Sequence, residues 1–219
     1  MNKAIKYRLY PTKEQFEFEK TINQVPISNN VIGWDYKSDG LYADSNGNVC
    51  GSPKYYRKSQ KNLARLQRQL SHKEVGANNR NKARLKVARL QKHIANQRLD
   101  FVHKKSTEIA NEYDVVCIES LDMKNMSNKG FGNGKATLDN GYGLFLTILE
   151  YKLTDRGKYF IKVDKWYLSS QLCYACGKQY KEMKNLLTRQ FVCDCGYKND
   201  RDTNVSLNIK KEGLRLLTI

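Results

Sequence analysis

The sequence predicts an α/β protein: a mixed sheet that carries a basic helical hairpin and a small cysteine-rich ribbon. Three observations lead there. Strand-like and helical stretches follow one another as three strands, a helical pair, a strand, a helix, a strand and a last helix. Four of the six cysteines form two pairs, Cys173-Tyr-Ala-Cys176-Gly and Cys193-Asp-Cys195-Gly. The 219 residues carry a formal charge of +17, more than solubility requires, which points to a polyanionic partner, nucleic acid first.

Length allows one well-packed domain and a small satellite. No run of about 18 apolar residues is present, so no membrane span is predicted. The opening Met1-Asn-Lys-Ala-Ile-Lys-Tyr7 lacks the apolar stretch of a secretory leader. The expected setting is cytoplasmic, beside the nucleoid, where thiols stay reduced. An anionic membrane surface is the competing polyanion, but no lipidation motif supports it.

Residues 3–10 alternate basic and apolar side chains and predict a strand, which Pro11 ends. Thr12-x-x-Gln15 then predicts a capping box that opens a helix to Asn23, and Pro26 with Ser28-Asn-Asn30 a linker. Val31-Ile-Gly-Trp-Asp35 predicts a strand that carries a carboxylate. Two short strands follow it across the hairpin turn Ser45-Asn46-Gly47.

From Tyr55 to Ala110 helix formers dominate. Leu63, Leu66 and Leu70 mark one apolar face; Ala83, Val87, Leu90, Ile94 and Phe101 mark a second. Gly76-Ala-Asn-Asn79 separates them, so the stretch predicts an antiparallel helical hairpin. Its polar faces carry Arg65, Arg68, Lys82, Arg84, Lys86, Arg89, Lys92 and Arg98 among other bases. Only Glu74 and Asp100 oppose them between Arg57 and Lys105. A merely solvated face mixes signs to form Glu–Lys pairs. This one does not, which makes those eight residues candidate phosphate contacts.

Val115-Val-Cys-Ile-Glu119 predicts a buried strand that ends on a second carboxylate. Residues 121–141 are expected to be a flexible loop of the kind that forms lids. A helix is expected over Tyr142–Arg156, a strand over Tyr159–Val163, and a last helix from Asp202 to Lys211.

Two cysteine pairs, each followed by glycine and separated by a ribbon-length spacer, predict a closed zinc site of Cys173, Cys176, Cys193 and Cys195. Four thiolates suit zinc because soft, negative sulfurs complete a tetrahedron around it. A structural zinc supplies roughly 10–16 kcal/mol of apparent binding energy, enough to fold a ribbon with almost no core. Buried reduced cysteines and two disulfides are the competing readings.

The element order is that of a ribonuclease H-like domain, with the basic hairpin in place of the first helix. Such a sheet sets its first and fourth strands side by side and parallel, so Asp35 and Glu119 would be neighbours. The last helix would bring Asp202 to them, with Asp200 as runner-up or as that helix's N-cap. Three converging carboxylates repel one another unless divalent cations intervene. Two magnesium ions ~4 Å apart would activate water and stabilise the leaving oxygen of a phosphodiester.

Taken together, several motifs resemble the OrfB/TnpB family of bacterial insertion-sequence proteins, RuvC-type relatives of type V CRISPR effectors. They are Lys6-Tyr-Arg-Leu-Tyr-Pro-Thr12, Gly33-Trp-Asp35, Pro53-Lys-Tyr-Tyr-Arg57, Ile94-Ala-Asn-Gln97, Ile118-Glu119-Ser-Leu and Asp139-Asn-Gly141. Lys162-Val-Asp-Lys165, Ser169-Ser170, both cysteine pairs and Asp200-Arg-Asp202-Thr-Asn204 complete the set. The resemblance implies a transposon-linked, RNA-guided DNA endonuclease with Asp35, Glu119 and Asp202 as the RuvC acids, magnesium at them, and a zinc ribbon. Guide RNA and DNA would be the partners.

Two departures stand out. In the family a much longer segment separates the opening strand motif from the RuvC domain and supplies the lobe that holds the guide duplex. Val205-Ser-Leu replaces the usual alanine pair after Asn204, a packing variation.

The resulting division is 1–27 as a remnant of the wedge region with its linker and 28–168 as the RuvC-like core, with the hairpin at 55–110. The ribbon then takes 169–198 and the last RuvC segment 199–219. The alternative to a nuclease is an internally deleted nucleic-acid-binding module that does not cut, or a transposon remnant.

Overall fold

The computed structural model describes residue 26 and residues 30–127, 134–185 and 188–218. The strand and helix expected before Asn23 lie outside these residues. Five strands form one mixed sheet: β1 (Val31–Tyr36), β2 (Gly40–Asp44), β3 (Val49–Gly51), β4 (Val115–Glu119) and β5 (Tyr159–Val163), in the order β3-β2-β1-β4-β5. β1 runs antiparallel to β2, with Asp35 opposite Ala43, and parallel to β4, with Trp34 opposite Ile118. β5 pairs parallel to β4. The expected neighbours are therefore neighbours.

Strand periodicity decides which side chains meet. Ile32 and Trp34 of β1, with Val116 and Ile118 of β4, enter one core. There Trp34 stacks on Tyr42 at 4.5 Å between ring centroids and donates its Nε1–H to the Tyr142 hydroxyl at 3.1 Å. Val31, Val115 and Cys117, at the alternate positions, enter a second core with Val205 and Ile209. Asp35 and Glu119 share this second parity, so both carboxylates belong to the face that the last helix covers.

The hairpin consists of α1 (Tyr55–Ser71) and α2 (Asn78–Glu112). Leu63, Val87 and Ile94 are buried. Arg80 clamps the turn through the carbonyls of Leu70 and Lys73. α1 begins at Lys54, a non-glycine residue at φ 55°, and has no local cap. The buried Asp139 caps it from a distance, accepting from the N–H groups of Tyr56 at 2.9 Å and Arg57 at 3.2 Å.

That contact corrects one expectation. Within 121–141 the chain forms two short helices, α3 (Met123–Met126) and α4 (Gly134–Asn140), and not a continuous flexible loop. Asp139 ties α4 to α1, and Asn140 donates to the Ser38 carbonyl at 2.8 Å. α5 (Tyr142–Thr154) then packs Phe145, Leu149 and Leu153 against the first core.

The final helix, α6 (Arg201–Leu217), is longer than expected. Gly213 lies inside the helix, beyond the expected end at Lys211, and its missing Cβ makes room for the Cys117 side chain of β4. Gly33 of β1 does the reverse. A Cβ there would stand 2.6 Å from the Lys210 nitrogen and the Ser206 carbonyl. Both glycines let α6 lie close against the sheet.

Candidate functional site

The alternation of β1 and the close approach of α6 together create an acidic edge. Ser206, one turn into α6, donates to the carbonyl of Ala43 at 2.6 Å, and Ala43 is the partner of Asp35 across the sheet. Ser206 thus holds the start of the helix over Asp35, a role beyond packing variation. A cleft of about 880 Å³ opens there, lined by Asp35, Lys37, Ser170, Arg189, Arg201 and Asp202 among others. Glu119 lies one strand away, one step beyond the last paired residues of β1 and β4.

The charges of the other two acids reach Asp35. Burial, then the charges of Glu119 and Asp202, push the Asp35 carboxyl from 3.8 up to about 7; Arg201 and a backbone hydrogen bond at Tyr36 oppose the shift. Burial also raises Glu119. Asp202 has a counter-charge of its own, since the Lys37 ammonium lies 2.9 Å from its Oδ2. This bond raises Lys37 above its ordinary value. Asp200 is the N-cap of α6 and accepts from the N–H groups of Asp202 and Thr203.

Two neighbouring carboxylates, Glu119 and Asp202, add to the burial that raises Asp35, a repulsion that a hard divalent cation would relieve, so the residues present fit such an ion. The acids stand farther apart than the thiols. Among the described residues, the four cysteines alone bring three or more ligand atoms within 4.8 Å of one another.

The ribbon places those cysteines through β6 (Gln190–Val192) and β7 (Lys198–Asp200), paired antiparallel. Cys173 and Cys195 sulfurs lie 3.8 Å apart, and those of Cys176 and Cys193 3.5 Å. All four cysteines are free thiols, which removes the disulfide reading. A tetrahedron with ~2.3 Å arms has edges of ~3.8 Å, so the spacing fits zinc. The Tyr180 hydroxyl and the Cys195 N–H hold the Cys193 thiol down at about 6, whereas neighbouring sulfurs help to push Cys195 up to about 12.

Sequence reasoning did not identify the ties between ribbon and acids. Asn204 donates to the Leu172 carbonyl at 2.9 Å and accepts from the Tyr174 N–H at 3.1 Å. Asn208 reaches the carbonyls of Ser169 and Leu172. Lys37, Arg189 and Arg201 also went unnoticed: Arg189 comes to the cleft from the ribbon, and Lys37 and Arg201, although beside Asp35 and Asp202 in sequence, carry no local signal that they face it. On the hairpin, Arg65, Arg68, Lys82, Arg84, Lys86, Arg89 and Lys92 are exposed. Arg98 is partly buried; its Nε donates to the Asp139 carbonyl at 3.1 Å.

The family is shown by comparison. The OrfB_IS605 family, described as a probable transposase, matches residues 10–130, more than half of the sequence, and the chain belongs to it. The Cas12f1-like TNB domain matches residues 142–209. A Streptomyces pristinaespiralis protein named "Putative RNA-guided DNA endonuclease" is 37% identical over 90% of this chain and 48% of its own length. The similarly named InsQ of Escherichia coli (strain K12) is 34% identical over 87% of this chain and 50% of its own length.

The chain therefore spans about half the length of these curated relatives. A Cas12f1 protein, solved by cryo-EM in a complex with sgRNA and target DNA, shares the fold. Its TM-score is 0.56 at 22% identity over 85% of this chain and 51% of that one. Among the described residues, no helix is long and apolar enough to cross a membrane.

Proposed function

We propose that this chain carries the DNA-cutting core of an RNA-guided endonuclease, a RuvC-like fold of the ribonuclease H type. Asp35, Glu119 and Asp202 are its acids. The observation that carries this reading is the meeting of β1, β4 and α6 at one edge: β1 and β4 pair in parallel up to Trp34 and Ile118, one residue before Asp35 and Glu119, and Asp35 and Asp202 line one cleft. The core is assigned to residues 28–168 and 199–219, with the hairpin at 55–110, and the zinc ribbon to 169–198.

In this reading Asp35, Glu119 and Asp202 hold magnesium, which when bound activates water and neutralises charge on the scissile phosphate. Asp35 supplies a carboxylate whose ionisation the bound cation favours. The β1–β4 register fixes Asp35 beside Glu119. Ser206 and the two glycines fix Asp202 above them. Lys37 pairs with Asp202 and holds its carboxylate at the cleft. Cys173, Cys176, Cys193 and Cys195 hold zinc, and Asn204 and Asn208 pass the order of the ribbon to α6. The exposed bases of the hairpin bind nucleic-acid phosphates, guide RNA or target DNA.

The second reading, a nucleic-acid-binding module that does not cut, draws on the chain spanning about half its relatives' length and on Lys37 holding Asp202. Incubating the purified chain with labelled single-stranded DNA and magnesium or manganese separates the two. Cutting that Asp35→Ala, Glu119→Ala and Asp202→Ala each abolish supports the nuclease. Salt-sensitive binding by folded, zinc-loaded protein without cutting supports the module.

A further inference from the structure

Arg201 is a buried cation that is bonded to none of the acids around it. It opens α6, is 8% exposed and lines the cleft beside Asp35 and Asp202. Its Nε is buried without a hydrogen-bond partner. Lys37 next to it pairs with Asp202, whereas among the described residues Arg201 takes part in no ion pair.

Buried donors are almost always satisfied, and a buried charge is usually paired, because losing water without a replacement is costly. A guanidinium placed only to neutralise the acids would bond to one of them, as Lys37 does. Its positive charge nevertheless reaches Asp35, so it stands within electrostatic range of the acids without being tied to them. A planar fork of donors suits the paired oxygens of a phosphate, and an adjoining acidic site for divalent ions is where a phosphodiester would lie.

We propose that Arg201 binds a phosphate of the DNA strand that enters the cleft, next to the phosphodiester held against Asp35 and Asp202. The inference rests on the reading of the cleft as the cutting site. It makes Arg201 a substrate-binding residue, distinct from the metal-holding acids and from the basic hairpin. The adjacent Arg201 N–H already donates to the Arg189 carbonyl at 2.8 Å, which steadies the backbone while leaving the side chain available.

The test is equilibrium binding of a labelled single-stranded DNA about eight nucleotides long, short enough for a single-strand site to limit sliding. The full zinc-loaded chain is used with calcium in place of magnesium. A series of strands carries one neutral methylphosphonate at successive positions. In the wild type, one position should weaken binding about tenfold. Arg201→Gln should lose as much on the unmodified strand, lose nothing further at that position, and lower the salt slope by about 0.7. Arg201→Lys should keep the slope but lose the position-specific effect.

Unchanged binding by Arg201→Gln, or an equal loss at every position, overturns the proposal. An RNA strand that shows the position-specific loss more strongly than DNA overturns the DNA assignment. Melting curves and zinc content check folding; if neither variant folds, the residue is structural and the proposal falls. A chain that binds this way but never cuts overturns the nuclease reading and leaves the phosphate contact standing.

Discussion

Replacing Asp35 with Asn should stabilise the magnesium-free fold in alkaline buffer and leave it unchanged in acid. Burial, Glu119 and Asp202 lift the Asp35 carboxyl from 3.8 to about 7 in the folded chain. Below pH 3.8 folded and unfolded chains both hold the proton, and the group contributes no difference. As pH rises from there to 7, the unfolded chain ionises freely while the folded chain resists. Stability is therefore lost across this window, and the loss is complete above about 7.

The gap between 3.8 and about 7, at ~1.36 kcal/mol per pH unit, sets an upper bound of ~4 kcal/mol on the penalty. Asparagine keeps the shape and can still accept a backbone hydrogen bond, but it carries no charge. Urea denaturation of wild type and Asp35→Asn, both zinc-loaded and free of magnesium, measures the difference at pH 4, 6 and 8. The variant's midpoint should exceed the wild type's at pH 8 and converge with it by pH 4. Adding magnesium should raise the wild type at pH 8 more than the variant. Equal stability at pH 8, or a less stable variant, would refute the raised Asp35 carboxyl.

Other outcomes follow from the same structure. Gly33→Ala would force a Cβ to 2.6 Å from α6, and the overpacking should cost roughly 3 kcal/mol in chemical denaturation. Trp34→Ala, which empties a fully buried site stacked on Tyr42, should cost about 3–5 kcal/mol. Cys193→Ser should lower zinc content measured by mass spectrometry and open the ribbon amides to hydrogen exchange, while β1 and β4 stay protected. Neutralising Arg84, Lys86 and Arg89 together should reduce the salt slope of DNA binding by about 2–3 and leave the melting temperature nearly unchanged.

The sheet was legible because its signals are local. Val31–Tyr36 and Val115–Glu119 are apolar runs ending near carboxylates, and strand periodicity places Asp35 and Glu119 on one face. The cysteine pairs were legible because metal ligands recur at short spacing. What sequence did not show depends on distant residues meeting. Asp139 caps a helix more than eighty positions earlier in the chain, so its neighbourhood read as loop. The last helix runs past Lys211 because Gly213 makes room for Cys117 of a strand nearly a hundred residues earlier. Lys37 and Arg201 lie near the acids in sequence, yet nothing local separates a cation that pairs with an acid from one that does not.

Manganese binding followed by electron paramagnetic resonance tests the central claim most directly, since it needs neither guide nor substrate. Zinc-loaded wild type should bind manganese at a site that Asp35→Ala, Glu119→Ala and Asp202→Ala each weaken by at least tenfold, with the fold intact. Binding that survives all three substitutions, or no binding by folded wild type, would contradict the claim that these carboxylates form one metal-holding site.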